Sequence, residues 1–199
     1  MSERKYTLAS VGPQLDRCLS RIIRNAGFDL QFEMAEGEAP HPDFENPDIS
    51  VKFAGRDVDL LLSNRAELLL ALEQICLEAL RVPSEDHSRI AFDANDYRML
   101  RIEELRLSAR AAAERVKRSG KPFAFNPMNS RERRVIHLSL RDEHEIRSES
   151  AGVGPHRQVI VYPAGMPSAP ASAFQPPRPN GPPRGAGARP DRGRPRPRR

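Results

Sequence analysis

Arg133 and His137 stand four residues apart in the run Glu132-Arg133-Arg134-Val135-Ile136-His137-Leu138-Ser139-Leu140. Val135, Ile136, Leu138 and Leu140 give that run the apolar period of a helix. Side chains at i and i+4 stack on one helix face, so the guanidinium and the imidazole project together. An arginine fork beside an imidazole suits a phosphate–sugar backbone, because the fork presents paired N–H donors to phosphate oxygens. Arg131, Arg134 and Arg141 extend the basic surface. The competing reading is an ion pair of Arg133 or His137 with Glu132 or Asp142 on a solvated helix face.

The elements that must position this pair can be read along the chain. Ser130 is a candidate cap for a helix over 131–141. A long helix over 95–119 precedes it, capped by Asn95 or Asp96 and ended by Gly120. Leu100, Leu105, Leu107, Ala111 and Val116 form its expected apolar side. Phe123-Ala124-Phe125 is a short strand, and 144–149 and 157–162 are the last two strands. Upstream, 15–26 reads as an amphipathic helix stopped by Gly27. Residues 28–34 and 49–53 alternate as two strands of a hairpin, with an acidic, proline-bearing loop over 35–47. A short helix ends at Leu60 to Leu62, 66–80 is a strong helix, and 88–93 is a strand with Ile90 and Phe92 inward. The fold class is therefore α+β in two small units.

Further residues surround the Arg133/His137 run. They are Tyr97-Arg98 with Arg101, the Pro127-Met128 turn, and the return Ser150, Gly152, Arg157, with Ser148 and Ser150 as candidate hydroxyl donors to phosphate. Together, from about Phe92 to Pro163, they resemble the R-xxx-H single-stranded nucleic-acid-binding domain of bacterial Jag/KhpB family proteins. Members of that family carry a K-homology (KH) domain just before this module. Residues 14–94 fit that position, and their order (helix, strand, strand, helix, helix, strand) is that of a type II KH fold. The resemblance divides the chain into an N-terminal extension (1–13), a KH-like domain (14–94), an R-xxx-H domain (95–163) and a tail (164–199). It implies single-stranded RNA as ligand and a role in post-transcriptional regulation linked to cell elongation or division. It places Arg157 as a further backbone contact. The separate amino-terminal domain of the family's longer members has no counterpart, so functions resting on it are not carried over.

In a KH domain a GxxG loop between two helices clamps phosphates with its backbone, because glycine lets the chain approach closely. Here that loop aligns with Ser63-Asn64-Arg65-Ala66, and neither glycine is present. Ala66 is expected to close off most left-handed conformations, and Ser63 adds a side chain where phosphate would sit. Only Arg65 keeps a positive group. The KH-like half is therefore expected to serve packing or pairing rather than RNA binding.

The net charge of +5 conceals a division. Residues 1–94 carry 10 Lys/Arg against 17 Asp/Glu, residues 95–163 carry 14 against 9, and residues 164–199 carry 8 arginines against one aspartate. A polyanion is repelled by the first part and attracted to the other two. The tail is rich in proline, glycine and arginine, cannot bury enough apolar surface to order itself, and reads as a disordered electrostatic arm. Arg192, Arg194, Arg196, Arg198 and Arg199 form its end.

Several classes find no support. No apolar run approaches the roughly 20 residues of a spanning helix, and Met1 to Pro13 lacks a signal peptide's apolar core. Cys18 and Cys76 sit in helix-period segments and read as reduced, core-facing thiols of a cytoplasmic protein. No paired-cysteine metal spacing occurs, and Asp142-Glu143-His144-Glu145 reads as a solvated turn. No phosphate-binding glycine loop or nucleophile elbow is present. The reading is a non-enzymatic, single-stranded RNA-binding protein without cofactor, metal or membrane partner, with single-stranded DNA left open. Low sequence specificity is expected, since few aromatics are available for base stacking. The alternative is an adaptor whose KH-like half pairs with another small KH protein, or with a further copy of the chain. RNA contact would then be confined to the tail.

Overall fold

The computed structural model describes residues 4–37 and 42–168. The tail arginines Arg192, Arg194, Arg196, Arg198 and Arg199 lie outside the described residues, as does most of the 164–199 segment. The described residues belong to one compact unit, built as α1 (Leu8–Ala26), β1 (Leu30–Glu36), β2 (Ile49–Gly55), α2 (Val58–Ala79), β3 (Ile90–Ala94), α3 (Tyr97–Ser119), β4 (Phe123–Ala124), α4 (Ser130–Ser139), β5 (Ile146–Ala151) and β6 (Gln158–Pro163). Short 3-10 turns over Ser84–Arg89 and Gly154–His156 lead into β3 and β6. No helix among the described residues is long and apolar enough to cross a membrane.

The first sheet has the order β1-β2-β3, with β1 antiparallel to β2 and β3 parallel to it. The expected hairpin is present, with Phe32 opposite Phe53. Alternation puts Ile49, Val51 and Phe53 on the same side as Ile90 and Phe92, where Phe53 packs on Phe92 with ring centroids 5.5 Å apart. Leu15, Leu19 and Ile23 of α1 and Leu69, Leu72, Cys76 and Leu77 of α2 close this core. Helix α2 is interrupted at Ser63–Ala66, where the backbone leaves the helical region, so the element order is that expected for a type II KH unit. Helix α1 begins at Leu8 rather than near Leu15, because a capping box between Thr7 and Ser10 starts it earlier.

The second sheet has the order β4-β6-β5, all antiparallel. Its core combines Ile102, Leu105, Ala109, Ala113 and Val116 of α3 with Val135, Ile136, Ile146, Val159 and Val161. The expected apolar side of α3 needs correction. Leu105 and Val116 are buried, but Leu100 and Leu107 are more than half exposed and Ala111 is exposed. The buried stripe is completed by small alanines, which let α3 approach the sheet closely. The start of α3 also differs. Asp96 lies in the left-handed region and makes no cap bond; the Arg98 amide donates to Asp93 Oδ1 at 3.1 Å instead.

The link between the two cores runs through Glu73 of α2, a carboxylate only 5% exposed. Its Oε2 accepts the Phe92 amide of β3 at 2.9 Å and Arg98 Nη1 at 3.3 Å, and its Oε1 accepts from Arg131 Nη1 of α4. Arg98 also donates to both oxygens of Glu45, and Arg131 donates to the His87 carbonyl. A charge buried this far is tolerated only when paired and hydrogen-bonded. We expect Glu73→Ala to lower stability by about 3–5 kcal/mol, because it takes the carboxylate from Arg131, removes one of the two from Arg98 and leaves the Phe92 amide unpaired. Glu73→Gln, which still accepts the Phe92 amide, should lose less. Urea unfolding midpoints of the two variants measure the difference.

Candidate nucleic-acid interface

Helix α4 starts from Asn129, not Ser130 as expected. Asn129 Oδ1 accepts the Glu132 amide at 2.9 Å, while Glu132 Oε2 accepts the Asn129 amide at 3.0 Å. This reciprocal pair satisfies two of the amides a helix start leaves open. Glu132 Oε1 also accepts Arg101 Nε of α3 at 2.6 Å. Arg101 thus holds the α4 start against α3. Tyr97, one turn earlier, packs against the first core.

Arg133 and His137 then face β5. Ser148 and Ser150, two residues apart on that strand, share one side of the sheet and meet the imidazole from both ends. His137 Nδ1 lies 2.8 Å from Ser148 Oγ and Nε2 lies 3.0 Å from Ser150 Oγ. Arg133 Nη1 donates to Ser150 Oγ at 3.2 Å. Arg157 stands just before β6, not on it as expected, and its charge reaches both groups. The turn that delivers it requires Gly152: φ is +96°, and a Cβ there would lie 2.5 Å from the His156 carbonyl oxygen.

The electrostatics of this cluster are one-sided. Neither carboxylate of the ion-pair alternative reaches it, since Glu132 binds Arg101 and Asp142 binds Arg141. Burial, with Arg133 and Arg157 nearby, holds His137 below its ordinary value. Burial and Arg157 likewise pull the Arg133 guanidinium down. Arg133 Nε is buried with no hydrogen-bond partner. An oxyanion docked beside Arg133 and Arg157 would relieve the repulsion.

The other expected site residues lie elsewhere. Arg131 does not join the cluster, because its guanidinium is turned to Glu73 and the His87 carbonyl. Arg134 is exposed and lines a separate polar cleft of about 340 Å³ with Arg89, Glu85 and Asp86. The reason is helical geometry: neighbouring residues diverge by about 100°, so Arg133 and Arg134 cannot share a face. Glu143 of the acidic turn pairs with Lys117 at 2.7 Å. Arg147 is a residue that sequence reasoning missed. It stacks 4.4 Å over the Tyr162 ring, and only its alternation with Ser148 on a strand could have signalled an opposite-facing role.

The Ser63–Ala66 loop corrects a second expectation. Asn64, Arg65 and Ala66 all take left-handed backbone angles, with φ of 53°, 62° and 58°. The absent glycines have therefore not closed off this conformation. Ala66 is fully buried, and its methyl joins the first core.

Comparison with known proteins matches residues 103–163 to the R-xxx-H domain family. The chain contains an R-xxx-H domain. Arg133 and His137 lie within the matched residues. The chain is also similar to the RNA-binding protein KhpB of Clostridium symbiosum, 30% identical over 137 residues, covering 69% of this chain and 58% of that protein. It is 30% identical over 119 residues to KhpB of Lactiplantibacillus plantarum, covering 60% and 37%. With KhpB of Bacillus subtilis it is 33% identical over 109 residues, covering 54% and 52%. The chain thus spans about half the length of these relatives, and the likeness extends beyond the R-xxx-H domain.

Three consecutive left-handed non-glycine residues cost about 1–2 kcal/mol each, less for asparagine. Arg65 is exposed, so its substitution tests the backbone alone. Arg65→Val should destabilise by about 1–2 kcal/mol, and Arg65→Gly should be neutral or stabilising. Chemical denaturation with an unchanged m value would establish both.

Proposed function

We propose that this protein binds single-stranded RNA through the R-xxx-H cluster and acts as a post-transcriptional regulator without catalysing a reaction. The observation that carries this reading is the group of Arg133, His137 and Arg157 with two serine hydroxyls and, among the described residues, no carboxylate paired with it. Phosphate supplies the missing negative charge, and Arg133 with Arg157 holds successive phosphates or one phosphate from two sides. The relatives named RNA-binding proteins support the choice of RNA over other polyanions. The eight arginines of the tail add affinity independent of sequence. Few aromatic faces accompany the cluster, so the reading includes low base specificity.

Full-length protein and the Arg133→Ala/His137→Ala variant, titrated with a labelled single strand over a salt series, test this. The wild-type log–log slope should be steeper than the variant's by about 0.7 for each phosphate that the variant no longer neutralises. The variant should also bind more weakly at every salt concentration. Equal curves would favour the second reading, an adaptor whose acidic first half contacts protein and whose tail alone touches RNA. The deficit of basic residues over 1–94 is the observation behind that alternative.

Binding should also respond to pH. In the free protein the His137 pKa lies below its ordinary 6.5, and phosphate raises it by favouring imidazolium. Complex formation therefore takes up a proton, so affinity rises as pH falls towards 6.5 and levels off below the lowered free-state value. His137→Gln should flatten that profile while leaving the salt slope close to wild type. The sign for folding is opposite: the depressed pKa means that stability is lost as pH drops below 6.5.

A further inference from the structure

Two thiols outside the R-xxx-H cluster meet in the first core. Cys18 lies on α1 and is half-buried; Cys76 lies on α2 and is fully buried. Their sulfurs are 3.4 Å apart, with the Cys76 thiol donating to Cys18 Sγ. A disulfide needs a separation of about 2.0 Å, so closure asks only for small side-chain rotations of two packed helices. We propose that Cys18 and Cys76 form an oxidation site for peroxides that closes to a reversible intramolecular disulfide.

The two positions suit different steps. Cys18 is the thiol that solvent reaches, so it meets the oxidant. Its thiolate attacks one peroxide oxygen, the O–O bond breaks, and the other oxygen leaves as hydroxide and takes up the thiol's proton as water. Cys18 is then a sulfenic acid, oxidised by two electrons. Burial holds the Cys76 thiol well above its ordinary pKa, which keeps it protonated and inert towards external oxidants. That retained proton already points at Cys18 Sγ. As Cys76 Sγ bonds to the sulfenic sulfur, the S–O bond breaks, and the Cys76 proton departs with the hydroxyl as a second water. Peroxide is reduced and the two thiols are oxidised, with no other reactant. A thiol reductant reverses the bridge by exchange at Cys18, the accessible sulfur. The bridge would enclose residues 18 to 76, which include β1, β2 and the left-handed Ser63–Ala66 loop, and so restrain the unfolded chain. The inference is independent of RNA binding.

The experiment treats full-length protein with a small excess of hydrogen peroxide, quenches with catalase, denatures, and blocks free thiols with N-ethylmaleimide before intact-mass measurement. The expected product has lost two hydrogens, carries no maleimide, and regains two maleimide groups after dithiothreitol. Its thermal unfolding midpoint should rise above that of the reduced protein. Cys76→Ala should leave Cys18 as a sulfenic acid captured by dimedone, and Cys18→Ser should leave Cys76 fully alkylatable. The wild-type result decides alone if either variant fails to fold. Two maleimide groups after peroxide, oxygen additions on Cys18 without a bridge, or a covalent dimer would each overturn the proposal.

Discussion

The arrangement of this molecule depends on one buried carboxylate. Glu73 sits where the first sheet, the start of α3 and the start of α4 converge, and it satisfies the Phe92 amide, Arg98 and Arg131 at once. The Phe92 amide belongs to an edge strand and would otherwise lie unpaired in the interior. Without it Arg131 would be an uncompensated charge, and Arg98 would keep only Glu45. Such a junction is unforgiving in geometry, because carboxylate and guanidinium groups lose most of their attraction when misaligned. It therefore sets the relation between the sheet that ends at β3 and the helices that carry the R-xxx-H face.

From that junction the Arg133/His137 cluster is assembled by successive local constraints. Arg131 anchors the first turn of α4 to Glu73, while Arg101 holds the same turn through Glu132 and its capping box. With its start fixed on two sides and Val135 and Ile136 buried, α4 has one rotational setting, and Arg133 and His137 must face β5. The strand supplies hydroxyls at alternate positions, and the Gly152 turn brings Arg157 back to the same place. The cationic face is kept unpaired because the nearby acids are engaged elsewhere: Glu132 with Arg101, Glu143 with Lys117, Glu149 with Arg147. Basic residues are thus divided between a structural set turned inward onto carboxylates and a smaller set, Arg133 and Arg157, placed together without one.

The left-handed Ser63–Ala66 loop shows a related division between backbone and side chain. Its conformation is imposed by the helices on either side, both packed into the first core, and by the burial of the Ala66 methyl. Glycine would make that path cheaper, but it is not a precondition when the flanking packing over-determines it. Absence of glycine is a sound reason to expect a different shape, and here the sum of tertiary interactions outweighs it.

Residues whose meaning is local are legible in the chain itself. Alternation over 28–34 and 49–53 identifies the hairpin, helical spacing brings Arg133 and His137 to one face, and Gly120 and Gly152 mark a helix end and a turn. The fold class and the order of elements follow from such periods, because they depend on which residues are neighbours in sequence. The roles of the arginines are different. Arg98, Arg101, Arg131 and Arg133 look alike in sequence, yet two pair with buried Glu73, one locks a helix cap and one meets the Ser150 hydroxyl with no carboxylate partner. The same holds for α3, whose leucines at 100 and 107 belong to its outer side while alanines line the core. A guanidinium's partner and a helix's buried side are set by groups dozens of residues away, so only the tertiary structure decided them. The sequence by itself determined which chemistry was available and at what spacing; packing determined which of those groups was left free to use it.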